Sequence, residues 1–170
     1  RVASRGLGDV YKRQVYDRPA EITDAPVAEA PAEIAGSLRI EHLRYRYPGA
    51  SVDAVDDLSL SIAPGETVAV MGRVGSGKTT LLKQIVRLID PQPNSIFIDD
   101  RPVADYPLTQ LRTQVALVPQ DPFLFAEPLK SNITYDDPAR SLEKIWAAAT
   151  SADLKDTISD FPEQLDTLIG

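Results

Sequence analysis

Apolar and polar residues alternate at Leu38 and Ile40 and again at Leu43, Tyr45 and Tyr47, with a slip of register at Glu41-His42. Period-two alternation predicts a half-buried strand, the slip predicts a bulge, and Pro48-Gly49 ends the run. Leu58, Leu60 and Ile62 alternate in the same way up to a Pro64-Gly65 turn. Val68-Ala69-Val70-Met71 is instead a continuous apolar run, the pattern of a strand buried on both faces. From 79 to about 90, Leu81, Leu82, Ile85, Val86 and Ile89 fall on i, i+3, i+4 spacings that predict a helix, which Pro91 stops. Ile96-Phe97-Ile98 and Val115-Ala116-Leu117-Val118 predict two more short strands, separated by a helical turn at 108–112. Ser141 is a candidate N-cap for a further helix that places Leu142, Ile145, Trp146 and Ala149 on one face, with Glu143 in its first turn.

Composition narrows what these elements can belong to. The chain is 43% hydrophobic and 25% charged, which suits a globular fold and argues against wholesale disorder. No apolar run approaches the roughly 18 residues of a membrane helix. A net charge of -7 without Lys/Arg clusters argues against nucleic acid as the main partner. The absence of Cys removes disulfides, thiolate nucleophiles and zinc thiolate sites. Residues 1–14 (RVASRGLGDVYKRQ) are basic and aperiodic; they resemble a translated adaptor artefact, the alternative being a basic cytoplasmic segment leaving a membrane helix. Residues 17–36 hold Pro19, Pro26 and Pro31 among Ala and Glu and read as an extended linker.

The chemistry concentrates at Gly72-Arg73-Val74-Gly75-Ser76-Gly77-Lys78-Thr79, a full G-x-x-x-x-G-K-[ST] between an expected strand and an expected helix. The glycines let successive backbone N–H groups turn inward on an anion, aided by the helix N-terminus. Lys78 offers a compact positive charge to the β and γ phosphates, Thr79 a hydroxyl to Mg2+, and Thr80 a hydroxyl within reach of the α phosphate. The loop specifies a nucleoside triphosphate without specifying the base.

Around the loop lie Leu43-Arg44-Tyr45-Arg46-Tyr47-Pro48-Gly49, the run from Leu58 to Gly65, VALVPQDPFLF and EQLDTLIG. With MGRVGSGKTTLLKQ, these ordered motifs resemble the nucleotide-binding domain of ATP-binding cassette (ABC) transporters, especially the exporter and multidrug type, over 38–170. The resemblance implies an α/β P-loop NTPase with an antiparallel β subdomain and the start of a helical subdomain at 137–170, an incomplete domain. It implies ATP and Mg2+ as ligands, and a linker at 15–37 arriving from a membrane domain. Tyr47 corresponds to the aromatic residue that stacks on adenine, and a Tyr face suits that task because it makes no hydrogen-bond demand on the base. Gln120 corresponds to the glutamine that touches Mg2+ or the attacking water, for which a side-chain amide has both an acceptor and donors. The segment 121–135, with Phe123, Leu124 and Phe125, looks like the surface that receives the membrane domain's cytoplasmic helices. The partners implied are a transmembrane domain of the same chain and a second nucleotide-binding domain, at the cytoplasmic face of the cell (inner) membrane.

Two features are expected to stand outside the site. Ile96-Phe97-Ile98-Asp99-Asp100 imitates the acidic, Mg2+-positioning strand of P-loop enzymes, but its place in the family pattern is an earlier hairpin. There Asn94 and Asp100 stand where the family usually has Gly, a mild change because Asn and Asp tolerate left-handed backbone. His42, the sole histidine, reads as a solvated strand residue. The family's LSGGQ-type signature, its Mg2+-positioning Asp with the following catalytic Glu, and its switch His are not found, so the expectation is a domain truncated before its catalytic half and unable to hydrolyse ATP alone. Alternatives are a soluble ABC-type ATPase of DNA repair or translation and a non-hydrolysing regulatory module; a GTP switch lacks its N-K-x-D motif.

Overall fold

The expected alternation at the start of the domain becomes a pair of long antiparallel strands, β1 (Leu38–Tyr45) and β2 (Val55–Ile62). In the computed structural model, which describes residues 20–24, 33–121 and 123–169, the chain falls into two compact units divided after Leu117. The 1–14 segment and most of the 15–37 linker lie outside the described residues.

In the first unit β1 is flanked by β2 on one side and by β3 (Ile96–Ile98) on the other, and β3 is continued by β4 (Arg101–Pro102), giving an antiparallel sheet in the order β2-β1-β3-β4. The bulge expected at Glu41-His42 is present: Ile40 faces Leu60 and Leu43 faces Leu58, so two residues of β1 oppose Ser59 alone. His42 takes a positive φ of 46° there, and its backbone N–H donates to the Ser59 hydroxyl at 3.0 Å. A second register shift follows between Leu43 and Tyr45, with Asp57 at φ 52°. Two shifts on a short ribbon restore the inward direction of Ile40, Leu43 and Val55, all of them buried. The hairpin reading of 96–100 holds as well: β3 and β4 pair antiparallel, and Asn94, Asp99 and Asp100 all adopt positive φ.

Helix α1 (Lys78–Ile85) places Leu81 in the same core as Ile40, Leu43, Ile96, Ile98, Val103, Tyr106 and Leu111. It ends earlier than the expected 90. Arg87 turns to φ 48°, and the N–H of Leu88 reaches back to the carbonyl of Lys83 at 2.8 Å, which closes the helix before Pro91 is reached. The turn draws the Arg87 guanidinium inside, where it is 3% exposed and donates to the Asp90 carboxylate (2.9 Å), Ala104 O (3.2 Å) and Thr23 O (3.1 Å). Helix α2 (Leu108–Gln114) extends the expected turn by two residues. Its first N–H, on Leu108, is capped by the Asp24 carboxylate at 2.6 Å.

Two expected strands do not form. Val68-Ala69-Val70-Met71 and Val115-Ala116-Leu117-Val118 carry no regular structure and pair with no strand, with Val70 46%, Met71 90% and Val118 88% exposed. A strand exists only through a hydrogen-bonded neighbour, and no described strand lies alongside either run. Their apolar character fits a covered environment that the described residues do not supply.

The second unit is mainly helical, as expected for its last 30 or so residues. It contains α3 (Leu129–Ile133), α4 (Leu142–Ser151) and α5 (Lys155–Asp160) around Ile145, Ala149, Ile158 and Leu165. Ser141 caps α4, its side chain accepting from the N–H of Lys144 at 3.4 Å. Leu142, expected on the packed face, is 63% exposed; one residue past the cap, it precedes the stripe that Ile145 and Ala149 bury. A small ladder of β5 (Glu127–Pro128) and β6 (Leu168–Ile169) ties the unit's ends together.

Candidate functional site

The Gly72 to Thr79 loop follows the 68–71 segment and turns into α1 in the first unit. Gly75 and Gly77 carry φ of 84° and 86°, the left-handed backbone that makes the inward-facing curl possible. Gly77 is required twice over: a Cβ there would stand 2.1 Å from the carbonyl oxygen of Ala54. At Gly72 a Cβ would stand 2.5 Å from the Ser76 hydroxyl. Arg73, Val74 and Ser76 form the exposed crown of the loop.

Lys78 folds back across the curl. Its ammonium donates to the carbonyls of Gly72 (2.7 Å) and Arg73 (2.8 Å) and lies 3.4 Å from the Ser76 hydroxyl. The charge is thus held over the loop by weak neutral acceptors, which an anionic oxygen can replace with a charge-assisted bond.

Tyr47, distant in sequence, reaches the same place. It is 39% exposed, its ring meets Tyr45 edge to face at 5.0 Å, and its hydroxyl lies 3.1 Å from that of Thr80. Tyr47, Gly75, Ser76, Gly77, Lys78, Thr79 and Thr80 line one cleft of about 370 Å³. Asp53 and Ala54, which the sequence did not single out, line it too. A carboxylate in an anion cleft is opposed by its neighbour: the hydrogen bond from Arg46 Nε (2.7 Å) holds the Asp53 carboxyl below the usual range and offsets its charge. The sequence signal for that pair is the alternation of Arg44, on β1, with Arg46, just past its end. Gln120 belongs to the second unit, where it is exposed.

Among the described residues no group of three or more His, Asp or Glu side chains forms a cage for a metal. Thr79, exposed on the cleft wall, is a hard oxygen donor of the kind Mg2+ takes together with phosphate oxygens, so the donor set suits Mg2+ arriving with a nucleotide. His42 is far from this chemistry in role: its exposed ring pairs with Asp57 at 2.8 Å.

Comparison with known proteins gives the family. The sequence model described as ABC transporter matches residues 55–168. An ATP-dependent lipid A-core flippase of Alkalilimnicola ehrlichii is 41% identical over 88% of the chain, and a putative multidrug export ATP-binding/permease protein of Bacillus subtilis is 37% identical over 87%. A solved structure, described as a bacterial Atm1-family ABC exporter with ATP bound, superposes with a TM-score of 0.85 at 31% identity over 96% of the chain. The chain spans about a quarter of the length of these relatives, 26% of each of the two curated proteins and 29% of the exporter. The P-loop, the antiparallel sheet and these relatives together place the chain in the ABC transporter family.

Proposed function

We propose that the cleft binds Mg2+-ATP and that the chain is the nucleotide-binding part of an ABC-type exporter. The observation that carries this reading is the convergence of Lys78, the Gly75 and Gly77 turns and Tyr47 on one cleft. Tyr47 supplies a face for adenine. The loop's backbone N–H groups and the N-terminus of α1 receive the phosphates, and Lys78 exchanges the Gly72 and Arg73 carbonyls for β and γ phosphate oxygens. Thr79 would hold Mg2+, which, when bound, neutralises phosphate charge, and Gln120 keeps the role the family resemblance gives it, touching Mg2+ or the attacking water. Arg73, Val74 and Ser76 complete the cradle through their backbone.

In the parent protein, by this reading, hydrolysis at two such domains powers export, with a transmembrane domain of the same chain and a second nucleotide-binding domain as partners at the cytoplasmic face of the membrane. The exporter and flippase relatives favour this over a soluble ABC-type ATPase. The exposed aromatic group of Phe123, Phe125 and Tyr135, with centroids 5.0 and 4.7 Å apart, supports a docking role for 121–135. No signature or catalytic Glu motif occurs among the 170 residues.

Calorimetric titration with Mg2+-ATP is expected to show saturable binding that Lys78→Ala abolishes, and a phosphate-release assay is expected to stay at background. ATP turnover by the 170-residue chain that Lys78→Ala removes would overturn the claim that it lacks the hydrolytic machinery. Reading the parent gene upstream for hydrophobic spans separates an exporter from a soluble ATPase.

A further inference from the structure

We propose that Thr80 is a positioning residue whose hydroxyl, 3.1 Å from that of Tyr47, sets the Tyr47 ring as the base-side wall of the cleft and links that wall to the phosphate end. The proposal rests on the reading of the cleft as an ATP site.

The two hydroxyls differ in how firmly they are held. Thr80 is 7% exposed on α1, next to Leu81 in the core, and its β-branch restricts χ1. Tyr47 lies beyond the last residue of β1 in a turn, closed by the N–H of Ala50 on its carbonyl at 3.0 Å. Among the described residues its side chain is anchored by the Tyr45 edge and the Thr80 hydroxyl. The helix therefore fixes the ring, not the reverse.

The chemistry of a hydroxyl gives the bond a direction. Thr80 has one proton and two lone pairs. When its proton is given to a phosphate oxygen, the contact with Tyr47 persists only with Tyr47 as donor and Thr80 Oγ1 as acceptor. The Tyr47 hydroxyl, the Thr80 hydroxyl and an anionic oxygen then form one chain of donors, so the ring that receives the base is set by the same group that meets the phosphates. Immobilising a long side chain costs about 0.5–1.5 kcal/mol, so losing this preset should weaken ATP binding roughly two- to tenfold.

The test is calorimetric titration of Mg2+-ATP and of Mg2+-tripolyphosphate, which has the phosphates and no base, into the chain and its variants. Thr80→Val keeps the side-chain shape and removes the hydroxyl; Tyr47→Phe keeps the ring. Each is expected to weaken ATP binding by that factor, the double variant by no more than the larger single loss, and Thr80→Ser is expected to restore it. The loss in Thr80→Val should be larger for ATP than for tripolyphosphate. Equal losses on both ligands, or Tyr47→Phe binding ATP like the unsubstituted chain, would overturn the proposal, and the exposed position of Tyr47 makes the second variant safe for folding. Lys78→Ala is the separate control: if it leaves both ligands bound, the ATP reading itself fails, whatever Thr80 does.

Discussion

Gly77 and Gly75 have nearly the same backbone conformation and very different surroundings. Both sit near φ 85°, where an L side chain costs about 1–2 kcal/mol. At Gly75 an added Cβ meets nothing within 4 Å, whereas at Gly77 it meets Ala54 O at 2.1 Å. Ala54 lies just before β2, and its own N–H is tied to Tyr45 O at 2.7 Å, so it cannot readily withdraw. Gly75→Ala should therefore lower stability by about the backbone cost alone. Gly77→Ala should add the displacement of the loop from β2 and lose ATP binding. Thermal melts and titration of the two variants side by side check this.

At the scale of elements, the β3–β4 turn does more than reverse the chain. Asp99, at φ 49°, turns its carboxylate onto the backbone N–H groups of Ala35 (2.6 Å), Gly36 (3.1 Å) and Ser37 (2.9 Å) and onto the Ser37 hydroxyl (3.1 Å). Burial pushes this carboxyl up, but the hydrogen bonds from Ser37, Ala35 and Gly36 outweigh it and hold it below the ordinary carboxylate range. Its folded-state pKa is depressed, so the stabilisation is complete above the unfolded Asp value of about 3.9 and is lost as pH falls through the depressed value. Hydrogen exchange at 35–37 should quicken over that acidic window. In Asp99→Asn, which tolerates the same backbone, exchange there should already be fast at neutral pH, with stability lower by about 1 kcal/mol.

The turns on either side of β3 show what could be read from sequence. Asn94 and Asp100 could be assigned left-handed backbone because their side chains tolerate it; Arg87 gives no such sign, so the early end of α1 was not legible. The phosphate loop was, because eight consecutive residues carry it. The Asp99 clamp was not, since three of its four donors are main-chain groups and all lie some 60 residues away. Periodicity at Val68 to Met71 and Val115 to Val118 reported the surroundings those runs suit rather than whether a partner strand is there. Two-residue strands such as β5 and β6 are too short to have a period at all.

For the whole molecule, those two runs are the main liability. Apolar, partly exposed and in no described sheet, they offer backbone on which another chain can add a strand. A net charge of -7 opposes association only over about a Debye length, roughly 8–10 Å at ordinary salt. Purified chain is expected to bind a hydrophobic dye and to form larger species with rising concentration and salt. Val70→Lys with Val118→Lys should delay that association; light scattering unchanged by the pair would locate the sticky surface elsewhere.

The buried fork of Arg87 bears on the order in which the chain assembles. Its acceptors come from Thr23, Asp90 and Ala104, so the local bond to Asp90 can form with the end of α1, while the bond to Thr23 must close a loop of more than 60 residues. Loop closure is costly until local contacts are in place to reward it. Of the partners in this fork, the one made earliest is therefore the one that waits: residues 20–24 can settle only after the helix that carries the phosphate loop has been made and turned, and synthesis order and docking order run in opposite directions.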